Sequence, residues 1–460
     1  MKDISKILLM ISCFAFLFSS CKTKPVATDV KANYPEWAKN AVIYEVNVRQ
    51  YTPEGTFNAF EANLPRLKEL GVDILWFMPI NPIGVKDRKF PEGSKTSLGS
   101  YYSVKDYKGI NPEFGTEEDF KKLVAKAHEM GFKVIIDWVA NHSSRDHDWI
   151  TEHPDWYIKD STGKILAPFD WTDVAKLNYA SKDMRAAMID AMKYWVTKCD
   201  IDGFRCDVAG EVPLDFWEDA RIQLEQTKPL FMLAENEDHP ELCKKAFDMN
   251  YGWGMHSVMH KVAQGKDSVS KIIRQVMRVD SIMPKNTFQM NFITNHDENS
   301  WNGTAQEKFG AGENAFAVLT YTLPGMPLIY SGQEAGLKHR LRFFTKDTID
   351  WKTTDYSPFY KKLNALKHGN EALWNAPYGG TFEQIKNSEP LKVLSFIREK
   401  GNKRVVVIAN LSNEKVTVNL KGSKADGDYK DVFTNADFTI NSTNLNLTLN
   451  PWGYWVMERN

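Results

Sequence analysis

Short runs of β-branched, aromatic and other apolar residues recur along this chain, and between them apolar positions return every three or four residues. The runs read as strands over residues 42–48, 74–77, 134–138, 203–208, 231–235, 247–250, 288–294 and 327–330. Over 117–130 the helical spacing puts Phe120, Leu123, Val124 and Ala127 on one face. Over 183–199 it does the same with Met184, Met188, Met192 and Trp195. Eight strand–helix units in series belong to an α/β protein with a parallel sheet, and their number predicts closure into a (β/α)8 TIM barrel over residues 37–378. Two stretches depart from the pattern. Residues 141–178, after the third strand, are polar, Trp-rich and without helical period, so they predict a long loop or small subdomain on the C-terminal face of the barrel. From residue 379 to 460, strands over 405–409, 416–420 and 445–449 are separated by Gly, Asn, Asp and Ser with no helix between, which predicts a C-terminal all-β sandwich domain.

The first 21 residues follow another rule. Lys2 and Lys6 precede an apolar run of 12 residues over 7–18. At 1.5 Å per residue such a helix falls short of a hydrocarbon layer of roughly 30 Å, but it has the size of a signal-peptide core. Its end, Phe18-Ser19-Ser20-Cys21, is similar to a bacterial lipoprotein box, in which the Cys is acylated and becomes the new N-terminus. The alternative is a plain secretory signal with an incidental Cys. Acyl chains contribute about 0.8 kcal/mol per buried methylene. The expectation is therefore an exported lipoprotein held on the membrane through Cys21, at the periplasmic or outer-membrane face. Residues 22–36 are polar, contain two prolines and read as a tether.

Composition removes several classes of function. Hydrophobic residues make up 43% and charged residues 25% of the 460, which excludes wholesale disorder. Lys plus Arg (58) balances Asp plus Glu (59), so the basic excess of a nucleic-acid binder is missing. Cys199, Cys206 and Cys243 are odd in number and lack paired spacing, so buried free thiols are expected rather than disulfides. No Cys/His cluster has zinc spacing, and no metal is expected on that ground.

Candidate chemistry collects where strands end. The third strand ends in DWVANHS (Asp137, Asn141, His142), the fourth in DGFRCDVAGEV (Arg205, Asp207), the fifth in MLAENED (Glu235) and the seventh in FITNHDE (Asn295, His296, Asp297). Any one of these carboxylates alone would read as a helix cap or loop hydrogen-bonder, and Arg205 with Asp207 as a structural ion pair. Their coincidence at one end of a barrel is what matters, because burying so much charge without a use is costly. Two carboxyls across a scissile bond are the equipment of glycoside hydrolysis, about 5–5.5 Å apart when the sugar is held covalently in between. Arg205 stands two residues before Asp207 on the same inward face and should keep it ionised, as a nucleophile. Glu235 has no cation beside it in sequence and is the candidate proton donor. Asp297 would hold sugar hydroxyls.

At these residues the chain resembles glycoside hydrolase family 13, the α-amylase family, over roughly residues 37–460, with the four motifs DWVANH, GFRCDVAGE, AENED and FITNHD in order. The resemblance implies retaining hydrolysis of α-1,4-glucosidic bonds in starch, glycogen or maltodextrins. It implies Asp207 as nucleophile, Glu235 as acid/base and Asp297 as transition-state stabiliser, with His142, Arg205 and His296 contacting the sugar or the nucleophile. In LGSYYSVKDY it implies Tyr102 as the aromatic platform under that sugar, with Tyr101 the alternative. YSGQEAG at the eighth strand is also similar to the family. The 141–178 insertion corresponds to its domain B, at about 142–178, and the β tail to its domain C. Calcium-bearing members carry a carboxylate and a His where Lys176 and Glu211 stand here. An ammonium cannot ligate Ca²⁺, so the usual calcium site is expected to be absent, with Lys176 replacing the ion's charge near Asn141 and calcium elsewhere left open. Lys176 and DVAGEV look more like the neopullulanase and cyclomaltodextrinase branch, although that branch carries an extra N-terminal domain. An α-glucan transglycosylase or a cyclomaltodextrinase/neopullulanase-type enzyme is the alternative. A non-catalytic glucan-binding homologue fits less well, because all three carboxylates are present. Trp149, Trp156 and Trp171 either stack on further sugars or pack the insertion onto the barrel.

Overall fold

Eight short parallel strands close on themselves in chain order: β1 (Ile43–Val46), β2 (Ile74–Phe77), β3 (Lys133–Trp138), β4 (Gly203–Cys206), β5 (Phe231–Ala234), β6 (Met249–Tyr251), β7 (Phe288–Asn291) and β8 (Met326–Tyr330). The computed structural model describes residues 34–352, 354–442 and 445–459. The signal segment with Cys21 lies outside the described residues, as does the tether up to residue 33. Helices cover the outer face and side chains fill the inside, so the strands are buried throughout and read as continuous apolar runs. Several strands stop sooner than the sequence pattern suggests, because the chain must turn over the rim. After β1 the backbone coils at once into a short helix, Val48–Tyr51. After β4, Val208 takes a left-handed conformation with φ 36°, a strain of about 1–3 kcal/mol for a β-branched residue.

The helices form for local reasons and are kept by burial. α1 (Glu117–Glu129) starts with a capping box between Thr116 and Asp119 and buries Phe120, Leu123, Val124 and Ala127. α2 (Lys182–Lys198) is capped by Ser181 and buries Met184, Met188, Met192 and Trp195 against the strands. Each large side chain removed from water in this way stabilises by roughly 1.5–3 kcal/mol. Among the described residues no helix is long and apolar enough to cross a membrane. Cys199, Cys206 and Cys243 are buried free thiols.

Between β3 and α2 the insertion is tied down by an antiparallel ribbon of His142–Ser144 with Val174–Lys176. Trp149 and Trp156 meet at 5.0 Å, with Tyr107 5.2 Å from Trp149, so these two rings pack the insertion onto the barrel. At the chain's end six antiparallel strands form one sheet: β9 (Thr381–Gln384), β10 (Val393–Lys400), β11 (Lys403–Asn410), β12 (Gly427–Asp431), β13 (Asp437–Ile440) and β14 (Tyr454–Arg459), in the order β9-β10-β11-β14-β12-β13. The run over 416–420 breaks into two short strands, Val416–Val418 and Leu420–Lys421, which pair with different partners. Val406, Ile408, Val418, Leu449 and Met457 pack between these layers.

The barrel floor holds two residues that the tether reading placed outside the domain. Tyr34 is buried there. Its ring meets Phe288 edge-on at 5.1 Å, and its hydroxyl donates to the Ala376 carbonyl at 2.6 Å. Glu36 opens a 3-10 turn, Glu36–Asn40, that continues the same packing. The tether therefore ends before Tyr34. Its aromatic ring has a pocket to fill, which a polar linker would not provide.

Candidate active site

Strand register explains why distant residues meet. In β3, β4 and β5, Asp137 lies beside Arg205 and Arg205 beside Leu233, so Asp137 and Arg205 share a layer and a face. The ladder runs on past the strand ends. Asp207 N–H donates to the Trp138 carbonyl and Glu235 N–H to the Cys206 carbonyl, both at 3.0 Å, which sets Asp207 and Glu235 side by side above that layer. The fully buried Arg205 is the common partner. Its Nη1 donates to Asp137 Oδ1 at 2.8 Å and to Asp207 Oδ1 at 3.0 Å, and its Nε to the Tyr251 hydroxyl at 3.0 Å. Its Nη2 lies 2.9 Å from Glu235 Oε1 without hydrogen-bond alignment. Glu235 Oε2 accepts the N–H of the strained Val208 at 2.9 Å. Glu235 has no cation beside it in sequence, yet the fold supplies one: chain proximity gives Arg205 to Asp207 alone, whereas barrel closure gives it to Asp137, Asp207 and Glu235 together.

A second chain of contacts runs across the barrel from β1. Glu45, buried in that strand, accepts from His296 Nδ1 at 2.5 Å. His296 Nε2 lies 2.7 Å from the Tyr102 hydroxyl, which donates to Asp137 Oδ2 at 3.1 Å, and 3.4 Å from Asp297 Oδ2. Tyr102 and His296 are stacked at 5.5 Å. Tyr101 points elsewhere: its hydroxyl donates to Asn47 and its ring lies under Arg49, 4.2 Å away. The aromatic wall of the site is thus Tyr102. A cavity of about 410 Å³ is lined by Tyr102, His142, Asp207, Glu235, His296 and Asp297, with Arg205 beneath it, so all seven sequence-predicted site residues within the barrel converge. Trp171 reaches the same cavity and meets His142 edge-on at 5.4 Å, apart from the packed Trp149 and Trp156. A larger hollow of about 700 Å³ lies at the opposite end, between the barrel floor and the C-terminal domain, and gathers none of these carboxylates.

The electrostatics follow from gathering five carboxyls, of Glu45, Asp137, Asp207, Glu235 and Asp297, around one guanidinium and one imidazole. Burial, and then the charge of Glu235, push Asp207 well above the usual carboxylate range against the pull of Arg205. Burial raises Asp137 to about 6. Asp297 is raised by burial and by Glu235 against the pull of His296. Its side chain keeps 36% of its surface open to the cavity, so water there softens the push until a ligand displaces it. For His296 burial opposes charge, but Asp297 and Glu45 outweigh it and raise the imidazole to about 9. The charged ring donates from both nitrogens, to Glu45 and to the Tyr102 oxygen. Burial lowers His142 to about 3, which leaves it neutral. Such a site can supply one carboxylate and one carboxylic acid together.

Sequence reasoning missed Glu45, the bond from Tyr102 to Asp137, and the cavity residues Trp301, Phe343 and Phe344. An acidic residue inside the apolar run of β1 was a usable signal for Glu45. Phe343 and Phe344 carry none, since they sit in a loop that only the closed barrel brings to the cavity, whereas Trp301 stands four positions after Asp297 on the helix Glu298–Asn302. Lys176, which the resemblance sets at the family's calcium position, has its Nζ 3.8 Å from Glu211 Oε2. An ammonium among the donors does not suit Ca²⁺, and no step here involves that ion.

The family model of the α-amylase catalytic domain matches residues 32–174 and 152–371. The chain belongs to the α-amylase family. The model of the maltogenic amylase C-terminal domain matches residues 382–456. The maltogenic α-amylase AmyB of Thermotoga neapolitana superposes with a TM-score of 0.83 at 30% identity, covering 92% of this chain and 99% of that one. An α-amylase from Lactobacillus plantarum superposes at 0.81 with 31% identity, over 92% and 100%. Alpha-amylase MalA of Haloarcula japonica is 28% identical over 88% of this chain, which spans 61% of the length of that relative. Relatives named maltogenic α-amylase, neopullulanase and cyclomaltodextrinase match at 26–27%. This α-amylase-family chain is accordingly a glycoside hydrolase close to the maltogenic amylase and cyclomaltodextrinase types.

Proposed function

We propose that the protein is an exported enzyme that hydrolyses α-1,4-glucosidic bonds of starch, glycogen or maltodextrins by a retaining double displacement. The observation that carries this reading is the buried guanidinium of Arg205, which gathers Asp207 and Glu235 on the floor of a cavity walled by Tyr102. In the first step an Asp207 carboxylate oxygen bonds to the anomeric carbon as the glycosidic C–O bond breaks, and the Glu235 carboxyl gives its proton to the leaving oxygen. In the second step Glu235, now a carboxylate, takes a proton from water. The water oxygen bonds to the same carbon, the ester to Asp207 breaks, and the product keeps its original configuration.

The reaction needs Asp207 as the carboxylate while Glu235 carries the proton. The charge of Glu235 is the chief neighbouring influence that raises Asp207, and Arg205 opposes it. A proton on Glu235 removes that repulsion while the attraction of Arg205 remains, which favours the ionised form of Asp207 against its burial. Glu235 rests against Nη2 of Arg205 without an aligned hydrogen bond, so turning toward a leaving group gives up one aligned hydrogen bond, that from Val208 N–H. Asp297 and the charged His296 hold the ring hydroxyls of the distorted sugar, and Tyr102 lies under its apolar face. The test is the anomeric form of freshly released maltooligosaccharides, followed by ¹H NMR. The α-anomer is expected, and the β-anomer or no product contradicts the reading.

The match of residues 382–456 to the maltogenic amylase C-terminal domain favours a second reading, a cyclomaltodextrinase or transglycosylase. Faster cleavage of cyclodextrin than of amylose, or products longer than added maltoheptaose, would select it. Export rests on the N-terminal 21 residues. Replacing Cys21 by Ser should move the protein from the membrane fraction to the soluble one.

A further inference from the structure

The three carboxyls that line the cavity are not held alike. Asp207 accepts from Arg205 Nη1 at 3.0 Å, and Glu235 accepts from Val208 N–H at 2.9 Å. The Asp297 carboxyl takes no hydrogen bond from any described residue. Its one ion-pair contact among them is His296 Nε2, at 3.4 Å. The aim of Asp297 therefore depends on the backbone that carries it. That backbone is already helical, with φ −70° and ψ −50°, and leads into the one-turn helix Glu298–Asn302. Asn295 holds the start of the turn: its side-chain oxygen accepts from Glu298 N–H at 2.8 Å, and its carbonyl from Asn299 N–H at 2.9 Å. Gly303 N–H closes the turn on the Glu298 carbonyl, five residues back, at 2.8 Å. Such a turn is wider than that of an α-helix and is frequent at functional sites.

Glu298 anchors this turn from behind. Its side chain is buried and does not line the cavity. One carboxylate oxygen accepts from Asn302 Nδ2 at 3.0 Å, and the other pairs with the buried ammonium of Lys308. His256 Nε2 stands 3.7 Å from that second oxygen, but burial lowers the imidazole to about 3 and keeps it neutral. The counter-charge of Glu298 is thus Lys308. The lysine stands on a firm base. The short helix Ala305–Phe309 that carries it starts with a capping box between Thr304 and Glu307, and Glu307 also accepts from Arg340 Nε and Nη2, at 3.0 and 3.2 Å.

A buried ion pair is poor evidence of stabilisation, because apolar side chains of similar volume often hold a fold as well. What the pair supplies is a fixed position. We propose that Lys308 is a positioning residue for catalysis: by holding Glu298 it fixes the turn that begins at Asp297, and so aims a carboxyl that no described residue steadies by a hydrogen bond. A misplacement of about 1 Å at a reacting centre costs on the order of 100-fold in rate. The inference rests on the proposed hydrolysis, in which Asp297 holds the distorted sugar.

The test is steady-state hydrolysis of maltoheptaose, with kcat and KM measured per folded molecule. Lys308→Met should lower kcat about 10–100-fold and leave KM within about twofold, because the displaced carboxyl matters most in the transition state. The paired variant Glu298→Leu with Lys308→Met removes both charges and leaves neither buried alone. It should melt no lower than the wild type, and its kcat should stay as low as that of Lys308→Met. A paired variant with wild-type kcat, or a Lys308→Met enzyme changed in KM alone, overturns the proposal and leaves the hydrolase reading intact. A paired variant that does not fold makes the pair a purely structural one and overturns it too. Undiminished hydrolysis by Asp297→Asn would instead overturn the reading on which the proposal rests.

Discussion

Arg205 and Arg398 are both buried, and the protein surrounds them in opposite ways. Arg205, at the C-terminal ends of the strands, is ringed by the carboxylates of Asp137, Asp207 and Glu235. Arg398, on β10 where the barrel meets the C-terminal domain, donates to the carbonyls of Thr322 at 3.0 Å and of Gly380 and Thr381 at 3.3 Å. Nearby, Lys367 likewise donates to the carbonyls of Gly325 and Leu373 and to Asn375 Oδ1. Burial pulls Arg398 down to about 10, still above neutral pH, while burial's pull on Arg205 is overcome by its carboxylates, which keep it firmly charged. Carbonyls cannot change protonation and carboxyls can. One arginine is a fixed joint between domains; the other organises groups among which a proton can be passed.

The sharpest way to break this comparison is to remove one member from each end. Asp207→Asn should lower hydrolysis on the order of 10⁴-fold or more, yet melt no lower than the wild type. An acid raised by burial and like charge destabilises the fold once ionised, and the amide removes that charge. Arg398→Met should do the reverse. It leaves three carbonyls without donors and loses about 2–5 kcal/mol of folding stability by chemical denaturation, with kcat per folded molecule unchanged. Equal effects of the two variants on both quantities would dissolve the distinction.

Smaller effects sharpen it. Asp137→Asn takes away the acceptor of the Tyr102 hydroxyl and one carboxylate of Arg205, and should lower kcat about 10–100-fold. Because the charge of Asp137 is among those raising Asp207, the acid limb of the pH–rate profile should also move to lower pH. Glu45→Gln should act least at neutral pH. His296 is charged up to about pH 9 because Asp297 and Glu45 together overcome its burial. Without Glu45 the imidazole loses its proton sooner, and the alkaline limb moves to lower pH. An alkaline limb that stays in place would show that the partner of His296 is not Glu45.

Much of this was legible in the residues. The barrel strands are short and apolar because both faces are covered, and α1 and α2 bury the stripes their spacing announces. Asp207, Glu235, Asp297, His296 and Arg205 were visible because charge at the ends of apolar runs is rare enough to stand out. Three things were not visible, each for a tertiary reason. Arg205 reaches Glu235 only through the parallel register of β4 and β5. Glu45 and His296, 251 positions apart, meet only because β8 closes on β1. Tyr34 reads as linker until the barrel floor provides its pocket.

The central claim is that Asp207 forms the covalent bond. The direct measurement is intact-mass and peptide mapping of Glu235→Gln after reaction with a ring-fluorinated α-glucosyl fluoride, which slows release of the trapped sugar. The account predicts one glycosyl unit on the peptide that contains Asp207. A unit on Asp137 or Asp297, or a turnover of the fluoride with no adduct and an inverted product, would contradict it.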